Sequence, residues 1–175
     1  MPGPDTARVR AMQVLRLVVH GPTREPVLLL GEMEGDRCVP VFLRRPQADV
    51  IAIGPRGTSD LPLPQDVLLP VLRGLGHTLD GVEVTGLDDG VFTAVVVVDG
   101  DTRIPVLASD ALAVAVREVL PIAMAEEILD AVGQPTSELF PEGAAAPPDE
   151  QVRAMRAFLD GVSPEDFADP PHPGP

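Results

Sequence analysis

Apolar residues in this chain come in short blocks between positions 12 and 107, and Gly, Asp and Pro cut the blocks at regular intervals. Blocks of this length rich in Val, Leu and Ile read as strands, and the breaks read as turns. The pattern predicts strands over residues 12–20, 26–32 and 38–43, and again over 81–87, 91–99 and 102–107. The turns between them carry Gly35-Asp36, Asp89-Gly90 and Gly100-Asp101, residue types that accept the positive φ of tight hairpins. Val95 to Val98 are four consecutive β-branched residues, which suits a strand covered on both faces.

The pattern then changes period. Residues 109–129 read SDALAVAVREVLPIAMAEEIL. Ser109 is placed to cap a helix, and Asp110 suits the positive end of its dipole. Ala111 to Val116 leave no polar face, so this helix must be buried. A short apolar segment over 121–125 leads to a second helix beginning at Glu126-Glu127. An earlier helix is predicted over 67–75. Pro70 must lie in its first turn, since deeper it would break the hydrogen-bond ladder.

Two halves of the chain resemble each other. Gly35-Asp36-Arg37-Cys38-Val39-Pro40-Val41 parallels Gly100-Asp101-Thr102-Arg103-Ile104-Pro105-Val106, and Asp49-Val50-Ile51-Ala52 parallels Asp110-Ala111-Leu112-Ala113. The fold class expected is α+β: a largely antiparallel sheet built from a duplicated strand-strand-strand-helix unit, with helices packed on it. One domain over residues 12–133 is predicted after a flexible stretch at 1–11. A Pro- and Gly-bearing linker at 134–148, a short helical tail at 149–168 and a disordered end at 169–175 are expected to follow.

Composition narrows the classes. The hydrophobic fraction of 45% supports a packed core, yet aromatics are 3% with no Trp or Tyr. The single Cys38 excludes an intramolecular disulfide and any Cys-based zinc site. The N-terminus lacks the apolar core of a signal peptide, and no segment reaches the ~18 apolar residues of a membrane helix. A cytoplasmic protein that does not enter a membrane is expected. The net charge is −14, with no Lys. Residues 1–57 hold eight Arg against six acids, whereas residues 58–175 hold five Arg against twenty-one acids. Nucleic-acid affinity draws on phosphate neutralisation, so any such surface is expected in the N-terminal part, at Arg44 and Arg45.

Candidate chemistry rests on carboxylates. Phosphodiester hydrolysis commonly uses divalent metals held by acidic oxygens. Asp49, Asp66 and Asp110 are the candidates for catalysis, with Asp49 and Asp110 as possible ligands for Mg²⁺ or another divalent cation. Asp49 and Asp110 are equally what a helix dipole favours near a helix start. No phosphate-binding loop, zinc pattern, Ser-His-Asp order or dinucleotide fingerprint is present.

The same residues resemble the bifunctional nuclease family. That family's usual pattern is similar to RPSDAIALALR followed by PIFVAEEVL. Here the chain reads LASDALAVAVR over 107–117, then PIAMAEEIL over 121–129. A second segment, VPVFLRRPQADVIA over 39–52, is similar to the family's LPIWIGPxEAEAIA. The resemblance spans about 12–133 and implies hydrolysis of DNA or RNA, a metal cofactor and a homo-oligomer. Asp49, Asp66 and Asp110 are the carboxylates that survive here as candidates for the reacting centre, and Arg44, Arg45 and Ser109 are candidate substrate-binding residues. The departures are Gln47, Gln65 and Leu107, where the family usually carries Glu, His and Arg, and Arg44-Arg45 where it has Gly-Pro. Two functions follow: a metal-assisted nuclease, weak or inactive in this chain, or a non-catalytic binding or regulatory module on the same fold. The second would act through protein partners, with the C-terminal helix as one docking element.

Overall fold

The structure is a computed structural model that describes residues 8–57 and 62–139. Three strands open the chain: β1 (Val9–Val19), β2 (Pro26–Glu32) and β3 (Arg37–Phe42), joined as an antiparallel meander. Helix α1 (Arg45–Ile53) follows. A 3₁₀ turn over Pro64–Val67 runs into α2 (Leu68–Gly74), and Pro70 lies in its first turn as the ladder requires. A second antiparallel meander comprises β4 (Leu79–Asp88), β5 (Val91–Val98) and β6 (Thr102–Leu107), followed by α3 (Ala108–Glu118). The chain continues through β7 (Ile122–Ala125), α4 (Glu126–Val132), β8 (Gln134–Pro135) and α5 (Thr136–Leu139).

The eight strands among the described residues form one sheet in the order β6-β5-β4-β7-β1-β2-β3-β8. The fold is thus α+β and largely antiparallel. Both meanders run strand-strand-strand-helix. They are joined through β7, which pairs antiparallel with β1 (Val9↔Ala125) and parallel with β4 (Val82↔Ile122). The apolar segment over 121–125 is therefore the sheet's internal seam. Its pairing also carries β1 back to Val9, so residues 9–11, expected in a flexible stretch, are strand. Residues 134–139, expected to begin a linker, contain β8 and α5. The remainder of the linker, the helical tail and the last segment lie outside the described residues.

Local chemistry explains the main elements. The β4–β5 turn has Asp89 at φ 46° and Gly90 at φ 80°, and the β5–β6 turn has Asp99 at φ 52° and Gly100 at φ 81°. Paired positive φ values give the twist that hairpins need, and Asp-Gly supplies them at low cost. Strand β2 is buried along almost its whole length, and Val96 to Val98 of β5 are buried as well. Strand β6 closes the sheet edge and is mostly exposed. Its Pro105 is tolerated there because an edge strand has a side on which no N–H is needed.

Helix α3 ends in an unusual way. Val119 caps it in the left-handed conformation at φ 55° and is 74% exposed. A β-branched residue pays for that conformation, which glycine adopts freely. Val119→Gly is expected to raise stability by about 1 kcal/mol. Chemical denaturation of the two proteins checks this, and an unchanged or lowered midpoint would refute it.

Candidate functional site

Helices α1 and α3 pack against each other on the sheet, α1 over β2 and β1, α3 over β5 and β4. Two hydrogen bonds fix their relative direction. Near their starts, Gln47 Nε2 donates to Asp110 Oδ1 at 2.7 Å. Seven residues further along each helix, Arg117 Nη1 donates to the Gly54 carbonyl at 3.1 Å. The helices therefore run parallel, and both N-termini meet at one mouth. Both dipoles point their positive ends there.

The mouth is built from matching positions. Arg44 is the N-cap residue of α1 and Leu107 the N-cap residue of α3. Gln47 and Asp110 are the third residues of their helices. Arg44 Nη2 donates to Asp110 Oδ1 at 2.7 Å, the same oxygen that Gln47 reaches. One carboxylate thus holds an amide and a guanidinium. The other end of the Gln47 amide, Oε1, is buried without a hydrogen-bond partner among the described residues. Leu107 leaves α3 without an arginine at its cap, and Arg44 brings one to the same mouth from α1.

Asp66 occupies a different place. Its carboxylate accepts from Arg117 Nε at 3.0 Å and Nη2 at 2.9 Å, and from the Leu63 N–H at 2.8 Å. The side chains of Arg117 and Asp66 are 1% and 2% exposed. The Arg117 hydrogen bonds lower the Asp66 pKa to about 2, against the opposing effect of burial. Arg56 Nη1 reaches the Asp66 carbonyl at 3.4 Å. These contacts form a clasp that ties the 3₁₀ turn to the C-terminal ends of α1 and α3. A rise of 1.5 Å per residue puts the Cα atoms of Asp110 and Arg117 about 10 Å apart along the axis. Asp66 thus belongs to the clasp and Asp110 to the mouth.

The remaining sequence candidates divide in the same way. Asp49 is exposed on α1. It lies two residues from Gln47, a rotation of about 200° around the helix, so it turns away from the mouth. It is Gln47, and not Asp49, that meets Asp110. Ser109 is buried inside the first turn of α3 and does not cap it, because the helix begins one residue earlier, at Ala108. Arg45 is exposed at the first position of α1. Among the described residues, no group of three or more His, Cys, Asp and Glu side chains is placed to hold a metal ion. No described helix is long and apolar enough to cross a membrane.

Arg117 was not singled out from the sequence, although a signal for it exists. A lone arginine inside a helix otherwise apolar all round must be buried, and a buried guanidinium requires a carboxylate. Asp66 is that carboxylate.

The family model described as Bifunctional nuclease domain matches residues 28–137, which include the mouth and the clasp. Two uncharacterized proteins of Mycobacterium tuberculosis, from strains CDC 1551 / Oshkosh and ATCC 25618 / H37Rv, are similar to this chain. Each is 33% identical over 158 residues, covering 89% of this chain and 96% of the relative.

Proposed function

Because this chain belongs to the bifunctional nuclease domain family, we propose that it is a nuclease-like domain in which the implied metal-assisted hydrolysis of DNA or RNA is weak or absent. The domain acts instead as a binding module, and the mouth between α1 and α3 is its ligand-facing site. The observation that carries this reading is the occupation of Asp110. Its Oδ1 takes both Arg44 and Gln47 at 2.7 Å. That oxygen already accepts two hydrogen bonds, and the arginine competes directly with a cation for it.

The donors at the mouth do not fit a resident divalent cation. Mg²⁺ asks for near-octahedral oxygen ligands. The mouth offers one carboxylate, already paired with a guanidinium, and one neutral amide. Asp66 is committed to Arg117 in the clasp. Arg44 and Arg45, set at the positive end of α1, supply attraction for an anionic group such as a phosphate. Family membership keeps nucleic acid as the first ligand to test, while the −14 charge opposes long-range capture of it. We further propose that the domain is a homo-oligomer, since it is poor in aromatics and leaves several apolar side chains exposed.

Thermal unfolding in the presence of divalent cations tests the metal part of this reading. The midpoint is expected to move by less than about 1 °C on adding millimolar Mg²⁺ or Mn²⁺, because a ligand stabilises only the state that binds it. A rise of several degrees that Asp110→Ala abolishes would restore a metal centre at the mouth.

A further inference from the structure

One side of the first meander carries an aromatic ring beside arginines. Strand alternation continues past the end of β3: Val41 and Leu43 are buried, while Phe42 is 44% exposed and Arg44 is exposed as well. The Leu43 N–H still donates to the Pro26 carbonyl at 2.9 Å, so the backbone there remains paired to the start of β2. Phe42 and Arg44 therefore project from the same side, with Cα atoms roughly 7 Å apart. Val18 pairs with Val27, and Val27 with Phe42. That register brings β1 onto this side, and with it Arg16 and His20. The His20 ring meets Phe42 edge to face, with centroids 5.7 Å apart and planes at 73°, and its Nδ1 lies 2.9 Å from Thr23 Oγ1. A near-perpendicular contact braces the Phe42 ring without stacking flat on it. Phe92 is buried at 8%, so Phe42 is the exposed phenylalanine among the described residues.

We infer that this side of the meander is a base-stacking platform for single-stranded nucleic acid, with one base on Phe42 and its phosphate at Arg44. This rests on the reading of the domain as a binding module and gives the ligand of the mouth a second point of contact. Charge favours a polyanion here. Residues 16–27 and 40–45 build this end of the meander, and their charged members are Arg16, Arg24, Arg44 and Arg45 against Glu25. The chain as a whole carries −14, so this end is opposite in sign to the rest. Arg44 belongs both to this side and to the mouth, where it donates to Asp110 Oδ1 at 2.7 Å. A strand laid across Phe42 therefore leads into the mouth. The net charge also selects the form of the ligand. Phosphate neutralisation by so few cations gives little affinity in a chain this acidic, so the binding must draw on stacking. Stacking on an aromatic side chain needs an unpaired base. A duplex holds its base faces against one another and offers the platform only phosphates.

Fluorescence anisotropy of the full chain with a labelled oligothymidylate of about twelve nucleotides, and with a duplex of the same length, tests this at about 20 mM salt. The single strand is expected to bind about tenfold or more tighter than the duplex. Phe42→Ala is expected to weaken single-strand binding by about fivefold or more. Arg44→Gln is expected to weaken both forms and to flatten the salt dependence. Val91→Ala, at an exposed apolar position on β5, should leave both unchanged. The chain has no Trp, so Phe42→Trp sets a single indole on the platform. That variant is expected to bind at least as tightly as wild type, with its emission quenched by the single strand and not by inorganic phosphate. It decides the matter on its own should Phe42→Ala not fold. Single-strand binding that Phe42→Ala spares, or an indole emission that the bound strand leaves unchanged, overturns the platform alone, and sensitivity to Arg44→Gln then keeps the mouth. A duplex bound as tightly as the single strand also overturns the platform. No binding of either form at about 1 mM protein overturns both the platform and nucleic acid as the ligand of the mouth.

Discussion

Arg117→Ala is expected to cost about 3–5 kcal/mol of stability, the largest loss expected from any single substitution in the clasp. Removing the guanidinium strands the Asp66 carboxylate where its side chain is 2% exposed. It also frees the Gly54 carbonyl at the end of α1. For a chain of this size the unfolding midpoint falls by about 10 °C or more. Replacing both partners, in Asp66→Leu/Arg117→Leu, is expected to recover most of the loss, because a buried pair that is absent leaves no unpaired charge. A double variant as unstable as Arg117→Ala would show that the clasp contributes through something other than charge compensation. The clasp also predicts an acid limb. The Asp66 pKa is lowered in the fold to about 2, against an ordinary value of about 3.9. A lowered carboxylate contributes fully above its unfolded value, so its stabilisation is complete above about pH 4 and is lost as pH falls towards 2. The double variant should lack this component when midpoints are compared across that range.

The second large effect is a gain. Gln47→Glu would set a second carboxylate against Asp110, where the amide now lies at 2.7 Å. Two carboxylates at that distance repel, and Arg44, already paired with Asp110 Oδ1, offsets only one of them. The variant is expected to be less stable than wild type without metal and to regain that stability with millimolar Mn²⁺ or Mg²⁺, whereas wild type responds to neither. Adding Leu107→Arg restores an arginine at the cap of α3, and the pair is expected to raise metal-dependent hydrolysis at least tenfold over wild type. A double variant with wild-type rates and no metal response would mean that the mouth is not where this fold performs chemistry.

Much of this architecture could be read from the sequence, and the misreadings have specific causes. Strands β2 and β6 fall where their blocks begin and end, with Pro26 opening the first and Gly100-Asp101 preceding the second. The seam strand β7 was legible only as an apolar segment. Four residues are too few to show alternation, and its role depends on pairing with β1 and β4 from distant parts of the chain. The start of β1 at Val9 depends on the same pairing. Ser109 looked like a cap because Ser caps often, but the extended N-cap residue is Leu107. The candidate carboxylates were found as residue types, yet their grouping needed three dimensions. Asp49 and Gln47 are two residues apart, and helix rotation alone decides which of them meets Asp110. Asp66 reads from its residue type as a candidate acid, and its partner Arg117 lies fifty-one residues further on, beyond the reach of local pattern. Arg44 is legible as a basic residue beside the site, but its partner Asp110 depends on α1 and α3 running side by side.

This nuclease-like mouth is expected not to sustain robust phosphodiester hydrolysis. Initial rates on single-stranded DNA and RNA with Mg²⁺ or Mn²⁺, for purified wild type beside Asp110→Ala, test it most directly. The prediction is a rate near background that Asp110→Ala leaves unchanged. Robust metal-dependent cleavage by wild type that Asp110→Ala abolishes would contradict it.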